Sequence, residues 1–210
     1  MTSSLPLQLQ LWSHLSARMH LTMAAQIVAV IGLGLAIDKS WGWTGQHLVT
    51  LWTIAVFSWL FWLGRRDERA VLVLCMFIAG VGEGVLSLLW GLYDYQFANV
   101  PLFVPPGHAL LMTLGLLAAR HLSSRQAWSV VALGAAWGGF ALWRGIDQFG
   151  LTLFVLFVLC MLVSRARALY AAMFVLALVL VKVCSRCYGG STIINLPTCH
   201  CLCRRDTPCS

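Results

Sequence analysis

One carboxylate, Glu83, sits well inside an apolar run of this sequence. A charged carboxylate at the centre of a bilayer costs about 2.5–3.5 kcal/mol on insertion scales. Such a group is expected to be paired, protonated or facing a polar cavity. Helical spacing gives it company, because Ser87, Trp90 and Asp94 follow at i+4, i+7 and i+11. At 100° per residue the four fall within a stripe about 60° wide, running about 16 Å towards one end. The exit from the run is rich in polar aromatics, with Tyr93, Asp94, Tyr95 and then Asn99. A second titratable group, His108, follows Pro105-Pro106-Gly107 at the start of the next apolar run. Counted inward from the shared end, Glu83 lies about 13 Å deep and His108 about 10 Å deep at helical rise. Consecutive helices are usually neighbours, so the carboxyl and the imidazole can meet. The pair suits proton donation and relay, with Glu83 as the acid/base and His108 assisting. Ser87, Trp90, Tyr93, Asp94, Tyr95 and Asn99 are then candidates for lining a substrate mouth.

Blander readings stand beside this one. Glu83 could be a protonated acid bonded to Ser87 or to a backbone carbonyl. His108 could be a polar residue at a helix start, and Tyr93, Asp94 and Tyr95 interfacial residues.

The elements that would position these groups are apolar. The 210 residues are 60% hydrophobic and 10% charged, with a mean hydropathy of +0.83. A soluble domain carries about 25% charged residues. Apolar runs cover 21–37, 48–63, 71–93, 102–119, 127–143, 146–163 and 168–181. Most approach the roughly 17–25 residues of a membrane-spanning helix, the last being shorter. Barrel strands would alternate in polarity and be about half as long. The expected fold is therefore all-α, a polytopic transmembrane bundle of six or seven spans. Residues 1–20 form a polar-apolar lead in which Leu5, Leu7, Leu9, Leu11, Trp12 and Leu15 could make a short interfacial helix. Residues 21–181 form the helical domain and 182–210 a distinct tail.

The net charge of +7 does not call for a nucleic-acid partner, because the arginines sit in short loops. Arg18, then Arg65, Arg66 and Arg69, then Arg120 and Arg125, then Arg165 and Arg167 fall on one side under strict alternation. The positive-inside rule makes that side, and the N-terminus, cytoplasmic, in what would be a bacterial inner membrane. The expected partners are membrane lipid and a lipid-soluble small molecule.

No zinc-protease helix, P-loop or dinucleotide-binding glycine motif is present. His20, His47, His108 and His121 fall at unmatched depths, which argues against bis-histidine haem. No cofactor is expected. Gly80 and Gly84, and Gly134 and Gly138, are spaced to admit close helix neighbours.

The segment containing Glu83, then Trp90-Gly91-Leu92-Tyr93-Asp94-Tyr95, then Val100-Pro101-Leu102-Phe103-Val104-Pro105 resembles bacterial membrane carotenoid-biosynthesis proteins of the carotenoid 1,2-hydratase type. The likeness covers about 25 residues, and Pro105-Pro106-Gly107-His108 departs from it. It implies that Glu83 matches the family's intramembrane acid, and Tyr93 and Tyr95 its tyrosines. It also implies protonation of an isoprenoid C=C bond and delivery of water to the resulting cation. Two readings of other classes stay open: a small proton-coupled carrier, and a non-catalytic membrane assembly subunit.

The tail changes character after Val181 and holds six of the eight cysteines. Cys184 and Cys187, then Cys199, His200, Cys201 and Cys203, then Cys209 admit disulfides, metal binding, or a disordered, non-native segment. None has the paired spacing of a strong zinc site, and no metal site is assigned. Cys75 and Cys160 fall mid-run as packing residues.

Overall fold

A computed structural model describes residues 10–89, 100–143, 148–164 and 166–187. The described residues are helical with no strand. Helix α1 spans Ala17–Leu63, α2 Arg66–Glu83, α3 Val104–Ala119, α4 Ser124–Trp143, α5 Gln148–Val163 and α6 Arg167–Cys187. A π-helical segment, Gly84–Leu89, continues directly from α2.

The 47 residues of α1 would reach about 70 Å if straight. They double back instead. Gly42 takes φ 55° and ψ −132°, a left-handed φ that glycine adopts without a Cβ clash. A Cβ placed on Gly45 would strike the carbonyl oxygen of Ile37, and one on Gly34 would lie 3.1 Å from Val49 Cγ1. Two antiparallel arms result, one on each side of Gly42, matching the apolar runs 21–37 and 48–63. Met23, Ile27, Val30 and Gly34 are buried on the first arm. Val49, Thr53, Val56 and Leu60 are buried on the second, at the same i, i+4, i+7, i+11 spacing.

Helix α3 is central, packing against α1, α2 and α6. Its Ala109, Leu110, Leu116 and Leu117 join Leu72 of α2 and the buried stripes of α1 in one core. A smaller cluster of Ala127, Met161 and Ala171 ties α4, α5 and α6 together. Gly115 lets α3 approach α6, where a Cβ would run into Met173 Sδ. Of the spaced glycines, Gly80 packs on the Pro105 ring and Gly134 on the Phe154 ring, whereas Gly84 faces open space.

Many large apolar side chains are left outside. Leu21, Trp62, Phe77, Leu89, Leu133 and Val163 are among the exposed ones. Among the described residues two helices, Ala17–Leu63 and the continuous Arg66–Leu89, are long and apolar enough to cross a membrane.

Three local features differ from what the sequence suggests. Residues 11–15 of the lead form a turn, with Leu11 and Trp12 buried in the core, while Leu5, Leu7 and Leu9 lie outside the described residues. Val100–Val104, an apolar stretch ahead of Pro105 whose sequence would suit an extended or re-entrant segment, instead holds a turn that leads directly into α3, with Val104 N–H donating to the Pro101 carbonyl at 3.0 Å. Helix α6 continues through Cys187, past the change of composition at Val181.

Candidate functional site

Glu83 is the last residue of α2, and His108 lies in the first turns of α3. The prolines that open α3 occupy its first helical positions, where a missing N–H costs no intrahelical hydrogen bond. Pro105 then seats its ring about 3.7 Å from where a Cβ of Gly80 would be. The bare glycine thus lets the start of α3 sit against the end of α2. One further contact fixes the register, since Cys75 Sγ approaches the His108 carbonyl at 3.7 Å.

This packing brings the two titratable groups together. His108 Nε2 lies 3.7 Å from Glu83 Oε1, an ion-pair distance too long for a direct hydrogen bond. The other ring nitrogen, Nδ1, is 3.0 Å from the Val104 carbonyl. A carbonyl only accepts, so Nδ1 carries the proton and donates. In the neutral imidazole, Nε2 then bears the lone pair that faces the carboxyl. The side chains differ in exposure: 11% for Glu83 and 46% for His108. The arrangement is a sheltered acid with a half-exposed base beside it.

Ser87 is buried one turn beyond Glu83, inside the π-helical segment. The π-helix itself has no counterpart in the sequence reading. Wider turns of this kind occur mostly as short insertions, often at functional sites. Glycines at 80, 82 and 84 weaken the α-helix at this point. Trp90, Tyr93, Asp94, Tyr95 and Asn99 lie outside the described residues, as do residues 188–210 of the tail. Among the described residues no three His, Cys, Asp or Glu side chains are grouped to hold a metal ion.

A second buried acid, Glu68, escaped the sequence reading. It stands at the third position of α2 and is 3% exposed, against 9% for Glu83. Its Oε1 accepts from Trp12 N–H at 2.6 Å, and its Oε2 accepts from Arg65 N–H. His14 Nδ1 lies 3.3 Å from Oε1. The neighbouring chain is held in the same knot. His20 donates through Nε2 to the Trp12 carbonyl at 2.7 Å, and Arg120 Nη1 lies beside the same ring, 3.2 Å from Nε2 and 3.5 Å from Nδ1. Arg120 also donates to the Leu11 carbonyl. Burial holds the Arg120 guanidinium below its usual value, and the Glu68 carboxylate opposes that shift. Trp12, in the left-handed region at φ 65°, is fixed by these bonds around it.

The helix-start half of this knot was legible: an acid at the third helical position commonly reaches back to the preceding backbone N–H. The half that joins Trp12 to Glu68 across 56 residues left no sequence signal. No protein-family model, curated protein or solved structure matches this chain.

Proposed function

We propose that the chain is an integral membrane protein of six or seven spans that uses Glu83 and His108 as an acid/base pair on a lipid-soluble substrate. The observation that carries this reading is the approach of a half-exposed imidazole to a buried carboxyl at 3.7 Å. The exposed apolar side chains around the helices support a lipid surrounding. With the α1 hairpin counted as two arms, residues 17–41 and 43–63 each reach the roughly 20 residues that cross a bilayer. The arginine-rich connections favour a cytoplasmic N-terminus, in a bacterial inner membrane.

The resemblance to carotenoid 1,2-hydratases supplies the reaction class, hydration of an isoprenoid double bond. Glu83, protonated, gives its proton to the C=C bond and leaves a tertiary cation. Water enters from the exposed side, by His108, and adds to the cation. The lone pair on Nε2 takes the proton that the water loses. The imidazolium then returns that proton to the Glu83 carboxylate, and the pair is reset. Alkene and water give alcohol with no other reagent. Positioning and shelter of the proton donor are what the protein contributes.

The test compares lipid and pigment extracts by mass spectrometry from cells that make isoprenoids and express either this chain or Glu83→Gln at equal membrane level. A species heavier by one water, present only with Glu83 intact, is expected. Identical extracts would overturn the hydratase reading and direct attention to proton-coupled transport.

A further inference from the structure

The Arg-rich end of the bundle divides into committed and uncommitted cations. Arg120 is spent on the Leu11 carbonyl and His20. Arg69 donates to the Phe61 and Trp62 carbonyls at 2.9 and 3.3 Å and lies over the Phe61 ring. Arg18, Arg65, Arg66 and Arg125 are exposed instead, and no ion pair joins them to a described carboxylate. They belong to one end of the molecule. Arg18 opens α1 just after the turn that Glu68 and Arg120 hold down, Arg65 and Arg66 flank Glu68, and Arg125 opens α4 after Arg120. Among the described residues, the exposed carboxylate at this end is Asp67. Trp62, 82% exposed, sits at the same end one turn before Arg66.

We propose that this end binds the phosphate head group of anionic phospholipids, with Arg18, Arg65 and Arg66 as the principal cations. Guanidinium groups match phosphate oxygens in pairs, and an exposed indole beside them suits the head-group level of a leaflet. The Glu68 knot makes the site rigid: by drawing Arg65 N–H and Trp12 N–H onto one carboxylate it fixes the loop from which the free arginines project. Buried Glu68 adds little competing negative charge at the surface. The inference rests on the membrane reading above.

The test uses the full chain in nanodiscs of phosphatidylcholine mixed with phosphatidylglycerol, with native mass spectrometry of the lipids retained on release. Phosphatidylglycerol enrichment is expected for the unaltered chain. It should fall about fivefold for each of Arg65→Gln and Arg66→Gln and should survive in Arg65→Lys. Circular dichroism identifies any variant that has lost its helices. In that case the unaltered chain alone decides, because enrichment by charge must weaken as salt is raised. Equal retention of the two lipids, enrichment indifferent to salt, or folded Gln variants that match the unaltered chain would overturn the proposal. A chain released from membranes by alkaline wash would instead overturn the membrane reading itself.

Discussion

The two buried glutamates of α2 stand about 22 Å apart on one helix, and their surroundings differ in kind. Glu68 faces backbone amides and the sheltered His14 imidazole. Both its oxygens accept amide protons, from Trp12 and Arg65, and the Leu11–Trp12 segment packed on it is tied down by Arg120 and His20. A carboxylate held in that way is a fastener, because moving its proton or its position would strand buried amides. Glu83 faces a side chain that is half-exposed. It is followed by a π-helical turn and flanked by glycines that leave open space at positions 82 and 84. Burial alone therefore does not mark the chemical site, since the more buried acid is the structural one. Each has an imidazole beside it, and what separates them is the rest of the surroundings: backbone amides and a His14 ring only 17% exposed at one end, a His108 ring 46% exposed at the other.

The sharpest way to break this comparison is to remove each acid's proton chemistry and read both activity and stability. Glu83→Gln is expected to lower product formation by about 10²–10⁴-fold, the usual contribution of a positioned acid, with the melting temperature little changed. The measurement is product per folded protein in extracts, beside a thermal melt in detergent. If Glu83→Gln unfolds the protein instead, the two ends are alike and both acids are structural.

Glu68→Ala is expected to do the reverse. It strands the buried Trp12 N–H, at a cost of about 1–3 kcal/mol for an unsatisfied buried donor, and removes the bond to the part-buried Arg65 N–H. Denaturant titration of the purified chain should show that loss, while product per folded protein holds. A drop in activity with no loss of stability would move Glu68 into the chemistry.

His108→Gln sharpens the division of labour within the site. It keeps a polar side chain but removes the base that takes the proton from water, so a smaller loss than for Glu83→Gln is expected. Single-turnover assays would separate protonation from water addition, and an effect equal to that of Glu83→Gln would mean the pair acts as one unit.

The smallest expected effect lies away from both ends. Gly115→Ala would press on Met173 where α3 meets α6. Methionine is flexible and can yield, so a cost at or below about 1 kcal/mol is expected in the same denaturant titration. A larger cost would show that the α3–α6 contact is rigid and contributes to placing His108.

Particular residues show how far the sequence could be read. The apolar stripes of α1 at Met23, Ile27, Val30 and at Val49, Val56, Leu60 follow helical spacing, so the two arms were visible as two runs. The turn between them needed Gly42, which lies between the polar stretches Asp38-Lys39-Ser40 and Thr44-Gly45-Gln46-His47 that already interrupt the apolar pattern. The approach of Glu83 to His108 was also foreseeable, because it depends only on adjacent helices, their directions and a proline-capped start. The π-helical turn was hidden, since glycines weaken an α-helix without saying what replaces it. Residues 11–15 were misread because short leucine-rich leads look interfacial until a tertiary acceptor, here Glu68, captures their backbone.

Composition and periodicity by themselves determined that this chain is helical, where its helices lie, which end is basic and which acid is flanked by apolar sequence. Those properties are local: a helix satisfies its own backbone, and an apolar run declares its need for apolar surroundings within a few turns. Only the tertiary structure decided that Glu68 is the better-buried acid, that Trp12 fills the core beneath it, and that four exposed arginines are left uncommitted. Each of those outcomes joins residues far apart in the chain, Trp12 to Glu68 and Leu11 to Arg120. Such pairings are set by how the helices pack, and nothing in the spacing of either partner encodes the other.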